Sequence, residues 1–411
     1  MRRAVVLGLA RSGEAAAALL ERHGVEVVRA GRELGNDDDV SLLDGADVLV
    51  KSPGVPRDNP LVRAARIPIW SEVELGYRLL PNPILGVTGT NGKTTTVEWL
   101  GAMFRAAGRD VAVAGNVGRA LTGVDAQPGA WIVCELSSFQ LEDVHEFRPR
   151  VAVLINLEPD HLDRHGTFES YRDAKLRVFE NQTADDVAVV PRGFDAVGGG
   201  ARRVEFAADD PLPAEPGLPG AHNRENAAAA TAAARAAGVP DEAIAEALRS
   251  FPGVEHRLEL VRELDGVRFV NDSQGTQPDA VIAALRAFDG PIVLIAGGRD
   301  KGVDLSDLGP VVAERAVAAV LIGESGPGLE SRFHAAGLGR TERAATLEEA
   351  VRIADAIARE ALAAGAQEPA TVLLSPAAAS FDMFVDYAAR GRAFKEAVAG
   401  LAAARRDGRT R

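Results

Sequence analysis

The eleven residues Gly86-Val-Thr-Gly-Thr-Asn-Gly-Lys-Thr-Thr-Thr96 constrain this chain more than any other stretch. They follow the apolar pair Ile84-Leu85 and lead into Val97–Phe104, which has a helical pattern. A Gly-rich turn between strand and helix aims backbone N–H groups and a helix N-terminus at an anion, so it cradles phosphates. Lys93 is spaced to reach β/γ-phosphates, and the Thr94 hydroxyl to ligate Mg2+. The spacing departs from the standard phosphate loop, because five residues, not four, separate Gly86 from Gly92. A ligand-free Gly/Thr-rich turn is the bland alternative, but Gly-Lys-Thr directly after a strand is a demanding combination. The stretch predicts a nucleotide-phosphate site.

A chain of 411 residues exceeds one ordinary core, and a prior of ~150 residues per domain suggests about three domains. Hydrophobic content of 46% with 26% charged residues is ordinary for a globular protein. A net charge of −13 argues against a nucleic-acid partner, which calls for a basic face. It leaves anionic small molecules open, since local basic groups decide those. The one cysteine, Cys134, excludes an internal disulfide, fits a reducing compartment and reads as a small core residue. Met1-Arg-Arg-Ala-Val-Val-Leu-Gly-Leu9 is too short an apolar run for a signal peptide and reads as a first strand. No apolar run approaches the ~20 residues of a membrane span. These features predict a cytoplasmic protein without membrane or nucleic-acid partners.

The first segment reads as strand Ala4–Leu9, turn Gly8-Leu-Ala-Arg-Ser-Gly13, helix Glu14–His23 and strand Val25–Val28. The turn is similar to a dinucleotide fingerprint with Ala10 at the middle glycine, a weak signal that close packing also explains. Asp47–Val50 is a third strand with Lys51-Ser-Pro-Gly54 at its carboxyl end, where open α/β sheets bind ligands. Pro81-Asn-Pro83 closes this small domain. The second domain alternates strands and helices, implying a mostly parallel sheet. Its strands are Val111–Ala114, followed by Gly115-Asn-Val-Gly118; Trp131–Cys134, ending at Glu135; Val151–Ile155; and Asp185–Val190. An acid at a strand end beside a phosphate loop suits a second Mg2+ contact, against the bland reading of a surface carboxylate.

The loop Asn156-Leu-Glu-Pro-Asp-His-Leu-Asp-Arg-His165 offers Asp160, His161, Asp163 and His165 as metal ligands on residue type alone, with a solvated loop as the alternative. Thr167 is a candidate N-cap for the helix Phe168–Phe179, with Ser170 in its first turn. That helix carries Lys175, by base rate a solvated surface residue. Residues 191–219 read as irregular connections and short strands. Asn223 and Asn226 sit three apart at the start of an Ala-rich helix running to Ala237, so both can face one ligand. Asp241–Arg249 is a further helix.

Beyond Pro252-Gly253, strands Arg268–Asn271, Pro291–Ala296, Ala318–Ile322 and Thr371–Leu374 alternate with helical patterns at 279–288, 309–316, 347–363 and 382–399. Four strands ending in small or polar loops predict a second doubly wound sheet. The basic tail Arg405–Arg411 is expected to fray.

Several of these motifs fall in one order. Gly89-Thr-Asn-Gly-Lys-Thr94, Glu135-Leu-Ser-Ser-Phe-Gln140, Asp160-His-Leu-Asp163, Tyr171-Arg-Asp-Ala-Lys175, His222-Asn-Arg-Glu-Asn226, His256-Arg257 and Leu374-Ser-Pro-Ala-Ala-Ala-Ser380 follow one another along the chain. The chain resembles the Mur ligase superfamily over essentially its full length, and most closely its D-glutamate-adding branch. The resemblance explains the off-register glycine. It implies a three-domain α/β architecture: a Rossmann-like domain 1–82 for the UDP-substrate, a central P-loop ATPase-like parallel sheet 83–252, and a Rossmann-like amino-acid domain 253–411.

It further implies an ATP-dependent amide ligase of peptidoglycan precursor synthesis, adding D-glutamate to UDP-N-acetylmuramoyl-L-alanine through an acyl phosphate. By the same resemblance Gly89, Thr90, Asn91, Gly92, Lys93, Thr94 and Thr95 bind ATP with Asn223, Asn226, Arg257 and Asp272. Thr94 and Glu135 hold one Mg2+, and His161 helps hold a second. Lys175 matches the lysine the family carbamylates, which turns a cation into an anionic oxygen ligand. Lys93, His161 and Lys175 are thus the expected catalytic set. Arg11, Ser12, Gly54 and Asn116 match contacts to the UDP-substrate, and Thr276, Lys301, Ser380 and Phe381 the amino-acid pocket, where a lysine and hydroxyls suit carboxylates. A monomer is expected, with closure of the third domain about Pro252-Gly253.

Three positions depart from the family pattern: Ala10 in the first turn, Gln274 where Asn-Asp-Ser-Lys has its lysine, and Tyr387 where an apolar aromatic is usual. The alternatives at this point are a sibling ligase adding another residue, an L-glutamate-adding variant, and a nucleotide-binding module that does not ligate. Asn271-Asp-Ser-x-x-Thr276 favours the glutamate-adding branch.

Overall fold

The structure is a computed structural model that describes residues 1–218, 220–300, 304–366 and 369–409, except the side chains of Asp163 and of residues 406–409. The chain divides into two compact units, Met1–Pro252 and Gly253–Arg411. Among the described residues, no helix is long and apolar enough to cross a membrane.

The first unit holds two parallel sheets. Strands β1 (Arg3–Leu7), β2 (Glu26–Ala30), β3 (Val48–Lys51) and β4 (Ile69–Ser71) form the smaller one, in the order β2-β1-β3-β4. Ala4, Val5, Val6 and Leu7 are all at most 1% exposed, which is the continuous apolar run of a strand covered on both faces. The larger sheet comprises β5 (Ile84–Thr88), β6 (Val111–Gly115), β7 (Trp131–Glu135), β8 (Val151–Leu154), β9 (Val187–Pro191) and β10 (Arg202–Phe206). Its order, β10-β9-β8-β5-β7-β6, is parallel throughout. Strand β5 sits at the reversal of strand order, so the loop after it opens at the switch point where such sheets bind ligands.

One face of the larger sheet is covered by the phosphate-loop helix Lys93–Ala106 and by helices Ala221–Ala236 and Asp241–Ser250. Trp99, Met103 and Phe104 bury their side chains completely among Ala227, Ala230 and Ile244 of the same core. The alanines of the second helix let it approach closely. Cys134 is fully buried in the core of the opposite face, as expected.

The second unit is a six-stranded sheet of β11 (Glu259–Leu264), β12 (Val267–Asn271), β13 (Ile292–Gly297), β14 (Ala316–Ile322), β15 (Thr341–Arg343) and β16 (Ala370–Leu374). Its order is β11-β12-β16-β13-β14-β15, with β11 antiparallel to β12 and the rest parallel. Helices cover both faces over two separate cores.

Several expectations are corrected. The third sheet has six strands rather than four, because both edge strands carry polar, half-exposed sequences without an apolar run. Helix Gly326–Ala335 also lacked a clear periodic signal. The stretch before Pro81 contains β4 and a helix, Glu72–Leu79, capped by Ser71 Oγ accepting from the Glu74 amide at 3.2 Å. The helix expected over Phe168–Phe179 is α-helical to Leu176 and tightens to 3-10 over Arg177–Phe179. Its cap is as expected, with Thr167 Oγ1 accepting from the Ser170 amide at 3.2 Å. The final helix starts at Tyr387 rather than 382 and continues to Arg409, so the described tail is helical rather than frayed.

Candidate active site

Strand β5 delivers the phosphate loop at its carboxyl end, and Gly89 and Gly92 take positive φ values of 155° and 80°. A Cβ on Gly92 would come within 2.0 Å of Asn226 Oδ1, so the loop and the Ala-rich helix meet only because residue 92 has no side chain. Gly92 is also the N-cap of the helix Lys93–Ala106, and no side chain caps that end. The helix N-terminus therefore offers its orphan N–H groups, with the positive end of its dipole, to an anion. Thr94 and Thr95 are buried in its first turn.

Residues that sequence reasoning passed over hold the loop in shape. The Asn156 side-chain oxygen accepts from the amides of Thr90 at 3.1 Å and Asn91 at 2.9 Å. Thr90 Oγ1 lies 3.0 Å from the Tyr171 hydroxyl, and Asn91 Nδ2 donates to Glu158 at 3.0 Å. The available signal was position, since Asn156 lies two residues beyond β8, the strand beside β5. Burial pushes the Tyr171 phenol up to about 12.

Two lysines converge on the loop. Lys93 Nζ donates to the carbonyls of Gly89 at 2.9 Å and Thr90 at 2.6 Å. Lys175 Nζ donates to the same Gly89 carbonyl at 2.7 Å and lies 4.7 Å from the centre of the Tyr171 ring. Lys175 is 2% exposed, so the surface role expected from base rates does not hold. Burial brings its ammonium down to about 6, and the neighbouring Lys93 charge pushes the same way, opposed by Asp160 and Glu135.

Glu135 ends β7, whose backbone pairs with β5 at Gly86 and Val87. Its Oε1 accepts from Asn116 Nδ2 at 2.9 Å, while its buried Oε2 accepts no hydrogen bond. A buried, unsatisfied carboxylate oxygen beside a phosphate loop fits a cation. The donor set therefore fits a Mg2+–nucleotide complex. His161 is exposed, with φ of 51°, and its ring lies 3.4 Å from Asp160 and tilted at 49° to Phe139, with ring centres 4.9 Å apart. His165 is corrected as a ligand candidate: it is enclosed, with Nε2 3.0 Å from Ser138 Oγ and Nδ1 3.4 Å from Glu142. Asp163 lies outside the described side chains. Among the described residues, no group of three or more His, Cys, Asp and Glu side chains forms a ready metal cluster.

A second feature of this unit is a cavity of about 400 Å3 at the carboxyl ends of β1 and β3, lined among others by Arg11, Ser12, Gly54 and Asn116. The structure thus brings these four expected residues together. Arg11 Nη2 donates to the Asn116 carbonyl at 2.8 Å. Close packing also explains the glycines of this turn, since a Cβ on Gly13 would lie 1.9 Å from the Gly8 carbonyl oxygen.

In the second unit, Asp272 follows β12 and is 4% exposed. Its Oδ2 accepts from Ser375 Oγ at 2.6 Å and its Oδ1 from the Leu258 amide at 3.2 Å, yet burial still pushes it up to about 6. Thr276 and Ser380 lie on the loops after β12 and β16, which the Ala377 amide joins by donating to the Gly275 carbonyl at 3.0 Å. Ser380 is buried and Phe381 is exposed. Arg257 is exposed and exerts an electrostatic pull on Asp272. Lys301 lies outside the described residues. Two departures from the family pattern are neighbours: Gln274 Nε2 approaches the Tyr387 hydroxyl at 3.5 Å, and Gln274 Oε1 is buried without a hydrogen bond.

Comparison with known proteins shows the family. The Mur ligase middle domain matches residues 87–197, and the Mur ligase, glutamate ligase domain matches residues 256–378. The chain is 41% identical over 402 residues to UDP-N-acetylmuramoylalanine–D-glutamate ligase of Thermoanaerobacter pseudethanolicus, covering 88% of this chain and 86% of that one. It is 40% identical over 458 residues to the ligase of the same name from Pelotomaculum thermopropionicum, covering 97% and 98%. Among solved structures, UDP-N-acetylmuramate-alanine ligase from Thermotoga maritima superposes with a TM-score of 0.60 at 20% identity, covering 98% of this chain and all of that one. Folylpolyglutamate synthase from Mycobacterium tuberculosis gives 0.56 at 14% identity, covering 79% and 92%. These two similarities concern the fold alone. With two domain matches in order and about 40% identity along most of its length, the chain belongs to the Mur ligase family.

Proposed function

We propose that this chain is an ATP-dependent ligase that joins D-glutamate to UDP-N-acetylmuramoyl-L-alanine, in cytoplasmic peptidoglycan precursor synthesis. The observation that carries the reading is the convergence of Lys93 and Lys175 on Gly89, beside the unsatisfied Glu135 carboxylate. The choice of D-glutamate follows the printed names of the relatives that share about 40% of this sequence. In this reading residues 1–82 bind the UDP-substrate, 83–252 bind ATP and 253–411 bind the amino acid.

The chemistry is two transfers. The substrate carboxylate attacks the γ-phosphorus of ATP, forming an acyl phosphate and releasing ADP. The glutamate amine then attacks the acyl carbon, loses a proton and expels inorganic phosphate. Phosphoryl transfer asks little covalent chemistry of a protein and much positioning and charge stabilisation. The loop amides from Gly89 to Thr95 and the Lys93 ammonium supply that charge to the phosphates. Asn223 and Asn226, with Arg257 and Asp272, are assigned to the nucleotide. Thr94, Glu135, His161 and a carbamylated Lys175 are assigned to two Mg2+ ions, which when bound neutralise phosphate charge. Lys175 suits carbamylation because a buried amine held neutral is the form that adds to CO2, releasing one proton. Arg11, Ser12, Gly54 and Asn116 are assigned to the UDP-substrate, and Thr276, Lys301, Ser380 and Phe381 to the amino acid.

The test is ATP-dependent phosphate release with UDP-N-acetylmuramoyl-L-alanine and D-Glu, L-Glu, L-Ala or diaminopimelate as acceptor. Release with D-Glu alone, with a product of matching mass, is expected. Release with another acceptor alone would reassign the substrate, and none with any acceptor would overturn the ligase reading.

A further inference from the structure

We propose that Arg390 and Gly391 form a positioning element that holds the second unit's nucleotide-side and amino-acid-side loops in fixed register. The roles of those loops rest on the function proposed above. Arg390 is 1% exposed, and its guanidinium is hydrogen-bonded by backbone carbonyls and the Ser273 hydroxyl, with the Asp382 charge acting on it from nearby. Its Nε donates to Ser273 Oγ at 3.0 Å and its Nη2 to the Ser273 carbonyl at 2.9 Å. On the other side, Nη1 donates to the carbonyls of Ala378 at 3.2 Å and Ala379 at 3.3 Å, and Nη2 reaches Ala378 at 3.2 Å. Ser273 adjoins Asp272 on the loop after β12, and Ala379 adjoins Ser380 on the loop after β16. One rigid planar fork therefore spans both loops, which a single ammonium on a flexible stem does not reproduce.

Retaining a cation in this core is costly in itself, and burial brings the Arg390 guanidinium down to about 10. An apolar side chain would fill the volume more cheaply, so the charge is held for the geometry it imposes. Gly391 acts on a third segment. A Cβ there would lie 2.3 Å from His256 Nδ1, so the buried imidazole enters only because residue 391 has no side chain. His256 Nδ1 meets Asn271 Nδ2 at 2.9 Å, and Asn271 Nδ2 also donates to the Gly391 carbonyl at 3.3 Å. The dipeptide thus fastens the segment carrying Arg257 as well as the two loops.

The test uses full-length Arg390→Lys and Gly391→Ala, with folding checked by circular dichroism. The readouts are amide hydrogen exchange and separate KM values for D-Glu and the UDP-substrate. In both variants exchange should rise in 271–276, and in Arg390→Lys also in 375–381, with the other strands of the second unit unchanged. The KM for D-Glu should rise about 10-fold while that for the UDP-substrate changes less than about twofold, since a small displacement of a binding loop suffices for this. Folded variants with wild-type loop exchange and wild-type KM for D-Glu would overturn the proposal, as would a uniform rise in exchange throughout the second unit. If the wild-type chain ligates none of the acceptors, the functional reading falls, and loop exchange alone decides the positioning role.

Discussion

Lys93 and Lys175 share one acceptor: both ammonium groups donate to the Gly89 carbonyl, at 2.9 and 2.7 Å. Two lysine side chains thus meet at one carbonyl of the phosphate loop. Lys93 is partly exposed, while burial drives Lys175 towards the neutral amine.

Lys175→Ala should lower phosphate release about 100-fold, the scale on which removing an electrostatic catalytic group acts. Short carboxylates such as acetate should restore part of the activity by occupying the place of the carbamate. Wild-type turnover in the variant, or no rescue by any short carboxylate, would count against the carbamate assignment.

Gly92→Ala should raise the KM for ATP about 10-fold. The left-handed backbone costs a non-glycine residue roughly 1–2 kcal/mol. The new Cβ would also collide with Asn226 Oδ1, 2.0 Å away, and displace the helix end behind the loop. The KM for D-Glu serves as the internal control, and an unchanged KM for ATP would contradict the close approach.

Asp272 predicts a pH-dependent stability difference. Its carboxyl titrates near 6 in the folded chain, above its ordinary 3.8, so the folded state holds the proton over that window and the unfolded state does not. Its contribution is therefore fully present below pH ~4 and is lost as the pH rises through about 6. Relative to Asp272→Asn, which cannot titrate, the wild-type chain should lose about 2 kcal/mol between pH 4 and 7. Denaturant melts of both proteins across this range provide the slope, and a constant difference would refute the burial effect.

Lys51→Met should destabilise the first unit by about 2 kcal/mol, less than for a wholly buried pair. Lys51 Nζ sits 2.9 Å from Asp143 Oδ2 with side-chain exposures of 1% and 19%, so water takes up part of the stranded charge. Lys51→Met together with Asp143→Leu should recover most of the loss. Equal melting midpoints for the single variant and the wild-type chain would show that the pair contributes nothing.

The neighbouring segment explains why part of the fold was not legible. Glu72 and Glu74 look like ordinary surface acids, yet they are 1% and 0% exposed. Glu72 Oε1 accepts from the Thr122 amide at 2.5 Å and hydroxyl at 2.7 Å. Glu74 takes the amides of His145, Glu146 and Phe147 at 2.9 to 3.2 Å. Apart from Arg78, one turn beyond Glu74, these partners are some 50 and 70 residues away, and no local pattern encodes such a pairing. The half-exposed edge strands β11 and β15 escaped notice for a related reason, since a strand covered by little of the core needs no apolar run.

The sequence by itself determined the phosphate loop, the Thr167 cap, the buried strands and the alternation that makes the sheets parallel. Each is a matter of turn chemistry or side-chain period within a few residues. Only the tertiary structure decided that Lys175 is buried rather than solvated, that His165 is committed to Ser138 and Glu142, and that one oxygen of Glu135 is left unsatisfied. It also decided that Arg390 spans two loops more than 100 residues apart in sequence. Burial and hydrogen-bond satisfaction belong to the assembled core, and they turn ordinary residue types into a site.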